Sequence, residues 1–199
     1  MNTVRSVADT KATFFATYQR PISSLYRRVV EELLVETHLN VVNKRFTYDP
    51  FFALGMTVAF DSFTQGYAPE DQTPLIFAAL CQALELNPDV IRGDAAKMRA
   101  VMTQGDREAR LHLLQLAEGA EDTEGLRSIL ESIRDNPDFR YTRTFLLGLY
   151  AAYEATAPES KEDQPFMEIA ASLNLPLDAV KKILTSIAAV LKSFAKLAK

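Results

Sequence analysis

The sequence has few of the residues from which metal and catalytic sites are usually built. It contains one cysteine, Cys81, and two histidines, His38 and His112, among 199 residues. A single cysteine excludes an intrachain disulfide and a cysteine-based metal site, and it fits a reducing, intracellular compartment. Cys81 stands in the apolar run FAALCQAL, so we expect it to be a small buried hydrophobic residue.

Motifs for phosphate binding and nucleophilic catalysis are also missing. The seven glycines never occur as Gly-x-Gly or ahead of Gly-Lys-Ser/Thr, which excludes the common glycine-rich phosphate loops. No Gly-x-Ser-x-Gly is present, and no serine or cysteine stands in a motif that would pair it with a base. These absences disfavour an enzyme, and we expect no cofactor and no small-molecule substrate.

Long apolar runs are absent too. No stretch of about 18 apolar residues offers a membrane-spanning helix. The N-terminal residues lack both the apolar core of a signal peptide and the composition of a transit segment, so we expect the mature protein to begin near Met1. The hydrophobic content of 48% and the charged content of 24% are ordinary for a soluble globular protein. We therefore expect one domain covering residues 1–199.

The net charge of −4 is unevenly distributed along the chain. Residues 1–100 carry a net charge of −1, residues 101–176 carry −7, and residues 177–199 carry +4. An acidic body is thus followed by a basic C-terminal segment.

Helical periodicity dominates the sequence, and we find no convincing strand. This pattern predicts an all-α, single-domain bundle of about eight or nine helices, with an amphipathic, coiled-coil-like helix at the C-terminus. The polar stretch ATAPESKEDQP divides the chain into a body of about residues 1–156, a linker of about 157–164 and C-terminal helices over about 165–199.

Cap residues and prolines predict where helices begin. The first helix is predicted from about Asp9 to Gln19, and Pro21 is predicted to open the second from a first-turn position. A cap residue followed by proline predicts a new helix at three further points, Asp49-Pro50, Asn87-Pro88 and Asn136-Pro137. Pro69-Glu70-Asp71 is predicted to open another, and the pattern restarts around residues 104–106.

The helix after Asp49 is predicted to lie at the centre of the bundle. Its sequence, FFALGMTVAFDSFTQG, is apolar nearly all round and runs to Gly66, a natural C-terminal cap. Gly55 within it permits close approach by a neighbouring helix. The core candidates are Phe51, Leu54, Val58, Phe60 and Phe63.

The stretch YRRVVEELLVETH, residues 26–38, resembles a metal-ligand cluster at first sight. Glu36 and His38 are two residues apart, so a helix directs them to nearly opposite sides and they cannot share a metal. Neither Glu-x-x-His nor His-Glu-x-x-His occurs. The second histidine, His112, follows Glu108 by four residues, but two ligands are too few for a site. A cryptic metal-binding enzyme is the least favoured hypothesis.

The same stretch predicts a salt-bridged amphipathic helix. Two oppositely charged pairs stand four residues apart, Arg27 with Glu31 and Arg28 with Glu32. Glu36 falls at the margin of an apolar stripe formed by Ile22, Leu25, Val29 and Leu33.

Residues 167–184, MEIAASLNLPLDAVKKIL, have the spacing of a helix-turn-helix unit. Its second helix offers few base-reading residues, and Lys181 and Lys182 have little basic charge around them. The spacing keeps a DNA-binding regulator as the runner-up hypothesis. Because base-reading residues and basic charge are scarce, we expect no nucleic acid partner.

The terminal helix carries a heptad-like seam of apolar residues at spacings of three and four. Its members are Leu177, Val180, Leu184, Ile187, Leu191, Phe194 and Ala198. Lysines, including Lys192 and Lys196, cluster on the opposite face. The seam is compatible with packing on the body, pairing with a partner helix, or lying on an anionic membrane surface. The candidate partner or membrane contacts are Leu184, Ile187, Leu191, Phe194, Lys192 and Lys196.

Four segments together resemble the thylakoid formation protein family of cyanobacteria and chloroplasts. They are MNTVRSVADTK, RPISSLYRRVVEELLVETHL, FTYDPFFALGMTVAFDSFTQGY and LIFAALCQALELNPDVIRGDA. The resemblance is close over residues 1–100 and looser beyond them.

The resemblance implies a non-catalytic, helical accessory or adaptor protein in thylakoid biogenesis and photosystem II assembly and repair. It implies association with, and stabilisation of, membrane-bound FtsH protease complexes. It also implies a peripheral position on the cytoplasmic side of the thylakoid membrane. Plastid members begin with a transit extension that this sequence lacks, so the resemblance is to the cyanobacterial type.

Overall fold

The computed structural model describes residues 5–156 and 164–186, and within those ranges the fold is all α with no strand, as predicted. A 3-10 turn, Glu70–Gln72, precedes the fourth helix. The helices are α1 Val7–Thr17, α2 Ser24–Val41, α3 Pro50–Phe63, α4 Thr73–Ala83, α5 Pro88–Thr103, α6 Arg107–Leu114, α7 Leu126–Arg134, α8 Arg143–Thr156, α9 Gln164–Ser172 and α10, residues 177–186.

Helix α3 lies at the centre of the fold and packs mainly against α8 and α5. Its faces enter two hydrophobic clusters. Phe52 and Met56 pack with residues of α1, α2 and α4, whereas Phe51 and Leu54 pack with residues of α5 to α10. The predicted core position of α3 is confirmed: Phe51, Leu54 and Phe60 are buried, and Val58 and Phe63 are half-buried.

Two glycines allow α3 and α8 to cross at backbone contact. A Cβ atom on Gly55 would overlap the carbonyl oxygen of Thr144, and one on Gly148 would overlap the carbonyl oxygen of Phe51. The close approach predicted for Gly55 is therefore confirmed, and Gly148 is its counterpart on α8. Larger residues at either position would force the two helices apart.

Several predicted helix starts are confirmed by their caps. The Asp49 carboxylate accepts a hydrogen bond from the Phe52 amide at 2.9 Å. The Asn87 side chain accepts from the Asp89 amide at 2.9 Å, and Asp106 caps α6 in the same way. These side chains supply acceptors for amides that no helical carbonyl can reach.

The start of α1 differs from the prediction. The helix begins at Val7 and ends at Thr17, two residues earlier at each end than predicted. Ser6 is the N-cap, and it forms a capping box in which Ser6 and Asp9 each accept a hydrogen bond from the other's amide. Asp9 is thus the third helical residue and not the first.

Three further boundaries were predicted wrongly. Pro21 does not open α2, which begins at Ser24 after the N-cap Ser23. Pro69-Glu70-Asp71 leads only into the 3-10 turn before α4. Asn136-Pro137 starts no helix: its side chain accepts from the Asp138 amide as Asn87 accepts from Asp89, but the backbone then closes a single turn, from the Phe139 amide to the Asn136 carbonyl at 3.1 Å. Helix α8 begins seven residues later, at Arg143.

Helices α9 and α10 pack on the core formed by α5 to α8. Phe166, Ile169 and Val180 are fully buried in it, and Leu173 and Leu175 are buried in the turn between the two helices. The predicted linker falls on residues 157–163, which lie outside the described part of the chain, while Gln164 already belongs to α9.

Candidate interaction surfaces

The charged ladders predicted on α2 are present. Arg27 contacts Glu31 at 2.9 Å and Arg28 contacts Glu32 at 3.0 Å. Lys11 of α1 also reaches Glu31, at 2.9 Å, so one carboxylate joins two helices. The hydrogen bond from Lys11, followed in size of effect by the one from Arg27, lowers the pKa of Glu31 below its ordinary value.

Glu36 and His38 point to different surroundings, as their spacing predicts. His38 is buried, and its Nδ1 forms a hydrogen bond with the Thr10 hydroxyl at 2.9 Å. Glu36 lies on the outer side of α2. Among the described residues, no three His, Cys, Asp or Glu side chains stand close enough to hold a metal ion. His112 is exposed, and Cys81 is fully buried, which raises its pKa to about 12.

An open groove of about 760 Å³ runs along the outer face of α2. Lys11 of α1 and Arg143 of α8 line it together with residues of α2, among them Leu39, which is 58% exposed. The groove carries both charge signs beside this apolar side chain, so a partner with the complementary charge pattern could be oriented on it. Its lining is Lys11, Ser24, Arg27, Arg28, Glu31, Glu32, Val35, Glu36, Leu39, Asn40 and Arg143.

Two polar side chains that line this groove lack a partner that would offset their burial. Burial raises the pKa of Glu36 above its ordinary value, and the charge of Arg143 opposes that effect without closing an ion pair. The side-chain amide nitrogen of Asn40 is buried without a hydrogen-bond partner. The groove thus joins a half-buried carboxylate to an exposed apolar side chain and to charges of both signs, which makes it a candidate contact surface.

The first part of the terminal seam, in α10, packs against the body of the protein. Val180 is fully buried, and Leu184 is half-buried against the core of α5 to α8. Leu177 is 39% exposed. Packing on the body therefore accounts for the seam at Val180 and Leu184 but not at Leu177. The other predicted contacts, Ile187, Leu191, Phe194, Lys192 and Lys196, lie outside the residues that the structure describes, so their role stays a prediction.

Helices α9 and α10 are joined by the short connection over residues 173–176 that the spacing predicts. Asn174 takes a left-handed conformation in the turn, with φ of 57°, and Lys181 and Lys182 on α10 are exposed. On α9, Glu168 accepts a hydrogen bond at 2.9 Å from Gln115, the residue that follows α6. The two helices therefore continue the packing of the body.

Within the described ranges, no single helix is both long and apolar enough to cross a membrane. One pair reaches that length and composition together, Glu70–Ala83 with Pro88–Thr103, but it is bent by 109° at the break.

Comparison with known proteins identifies the family. The family model described as thylakoid formation protein matches residues 6–199. The chain belongs to the thylakoid formation protein family. Protein Thf1 of a Synechococcus strain is 45% identical over 188 residues, which cover 92% of this chain and 78% of that protein. Protein Thf1 of a Synechocystis strain is 43% identical over 190 residues, with the same coverage of both chains.

The fold of this thylakoid formation protein matches a solved structure. A chain described as the structure of Psb29 at 1.55 Å superposes with a TM-score of 0.81 at 36% identity, covering 97% of this chain and 91% of that one. The resemblance read from residues 1–100 is thereby confirmed and extends through α10. None of these comparisons supports the DNA-binding alternative.

Proposed function

We propose that this thylakoid formation protein is a non-catalytic adaptor in photosystem II assembly and repair, which binds membrane FtsH protease complexes and stabilises them. The observation that carries the proposal is the family match over residues 6–199. The likeness to Psb29 over 97% of the chain supports the same role. The adaptor works from the cytoplasmic side of the thylakoid membrane as a peripheral protein.

Two surfaces are suited to the partner. The α2 groove offers the exposed side chain of Leu39 beside charges of both signs, which can orient a partner of complementary charge. The terminal segment offers apolar residues at heptad spacing together with the net charge of +4 that residues 177–199 carry, which favours an acidic partner or anionic lipid.

The adaptor role is tested by affinity purification of the tagged protein from solubilised thylakoid membranes. FtsH subunits should be recovered with it, and a deletion strain should contain less of the protease. Failure to recover FtsH, together with a normal protease level in the deletion strain, would overturn the proposal.

Two variants separate the candidate surfaces. Leu39→Ser removes the exposed apolar side chain of the α2 groove, whereas Ile187→Ser with Leu191→Ser alters the terminal seam and leaves Leu184 in its packed position. The surface that binds FtsH is the one whose variant loses recovery at an unchanged melting temperature. A fall in melting temperature in the double variant would instead assign the seam to internal packing.

A further inference from the structure

A smaller cavity lies between the N-terminus of α3 and helix α7, and it shares no residue with the α2 groove. Its volume is about 260 Å³. A water molecule occupies roughly 30 Å³ in the liquid, so the cavity has room for the end of a side chain. Its lining is Thr47, Tyr48, Asp49, Pro50, Ile129, Ser132, Ile133, Asn136 and Phe139.

Asp49 gives this cavity a buried negative charge. Its side chain is 8% exposed, and one carboxylate oxygen accepts from the Phe52 amide at 2.9 Å. Burial raises the pKa of Asp49 to about 6, with the helix amides acting in the opposite direction, so the carboxyl group is mainly ionised at pH 7. No cationic side chain of the described residues pairs with it. Arg45 pairs with Asp138 instead, at 3.3 Å.

The walls around Asp49 suit an alkyl stem that ends in a cation. Ile129 and Ile133 supply apolar surface for methylene groups, and the aromatic side chains of Tyr48 and Phe139 line the same cavity. The Tyr48 hydroxyl donates to Asp94 at 2.7 Å, which fixes this ring in the wall. Ser132 and Asn136 add polar groups at the α7 side.

The hydrogen bonds that the Asp49 carboxylate already accepts favour a lysine ammonium over an arginine guanidinium as its partner. An arginine binds best when both oxygens of a carboxylate are free to accept its paired N–H groups. In Asp49 the carboxylate is already engaged by the amides at the start of α3. A lysine ammonium is a compact point charge that can approach one remaining oxygen.

We propose that this cavity binds the side chain of a lysine from a partner protein, with the Asp49 carboxylate as its counter-ion. The proposal rests on the adaptor role only in that a partner protein supplies the lysine. The pocket itself is complete within the residues described above.

The test is a titration of the ¹⁵N-labelled full chain with Nα-acetyl-lysine methylamide, followed by amide chemical shifts. The uncharged analogue with a norleucine side chain and the arginine analogue are titrated in parallel. We expect saturable shifts at Ser132 and Asn136 with a millimolar dissociation constant for the lysine analogue. The affinity for the other two should be at least about tenfold lower, a difference of 1.4 kcal/mol.

Two variants and one control locate the binding. Asp49→Asn removes the charge and keeps a good N-cap, so α3 should still begin at Pro50. Ser132→Trp fills the cavity from an exposed position on α7. Both variants should lose at least about tenfold in affinity for the lysine analogue. Asp135→Asn removes an equal charge from an exposed residue outside the cavity and should bind as the unmodified chain does.

The proposal is overturned by no saturable shift up to about 50 mM, by equal binding of the norleucine analogue, or by undiminished binding to Asp49→Asn or Ser132→Trp. Because the titration contains no partner protein, its failure would leave the adaptor role standing. Failure of the tagged protein to recover FtsH would overturn the adaptor role and leave the lysine pocket standing.

Discussion

Replacing Asp49 with asparagine should stabilise the protein at neutral pH and change its stability little in acid. Asparagine caps helices as well as aspartate does, so the Phe52 amide keeps its acceptor. Burial raises the Asp49 pKa from 3.8 to about 6 in the folded chain. The folded state therefore binds this proton more tightly than the unfolded state, and stability falls as pH rises between those two values.

The magnitude follows from the size of the pKa shift. A shift of about two pH units corresponds to about 3 kcal/mol of unfolding free energy once the carboxylate is ionised in both states. The asparagine variant does not carry this cost. It should therefore exceed the unmodified chain by only about 0.5 kcal/mol at pH 4 and by up to about 3 kcal/mol at pH 7 and above.

Urea unfolding of the two proteins between pH 4 and pH 8 measures this difference. Other carboxyl groups also contribute to the pH dependence, including Glu36 and Glu154, whose pKa values are raised above their ordinary values mainly by burial. They are common to both proteins and cancel when one curve is subtracted from the other. Parallel curves, or an asparagine variant that is less stable at pH 7, would refute the reasoning and show that Asp49 is well compensated in the folded chain.

The other predictions concern packing and buried polar contacts, and both are measured by urea unfolding. Gly55→Ala should cost about 3 kcal/mol or prevent folding, because its methyl group would overlap the backbone of α8, whereas Gly93→Ala, with open space around it, should stabilise by about 0.5 to 1 kcal/mol. Equal effects of the two substitutions on stability would contradict the backbone contact between α3 and α8 at Gly55. Thr10→Val should cost about 1 to 3 kcal/mol because it leaves the buried His38 nitrogen without a partner, and a cost no larger than that of Thr13→Val would contradict this.

Much of the helical framework could be predicted because its signals are local. The apolar character of α3 and the cap at Asn87 act through residues within one or two turns, so the sequence alone indicates them. Asn136 carries the same cap-plus-proline signature and starts no helix. Its side chain accepts from Asp138 just as Asn87 accepts from Asp89, yet the backbone turns back at Phe139 and the chain does not continue as a helix. The cap-plus-proline signature therefore marks a turn at both points and does not decide whether a helix follows.

Surface features also divide into those that follow from local spacing and those that depend on distant parts of the chain. The ion pair of Arg27 with Glu31 follows from a spacing of four residues. The α2 groove does not, because Arg143 reaches it from a helix far along the chain. Asp49 is recognisable as a helix cap, but its burial depends on the wall that α7 provides, including Ile133. The sequence therefore predicts the cap and misses the cavity.

The adaptor role is the central claim, and co-purification from thylakoid membranes tests it most directly. The tagged protein should recover FtsH subunits from solubilised membranes, and a deletion strain should accumulate less of the protease. If no FtsH is recovered and the deletion strain keeps a normal protease level, the claim is contradicted.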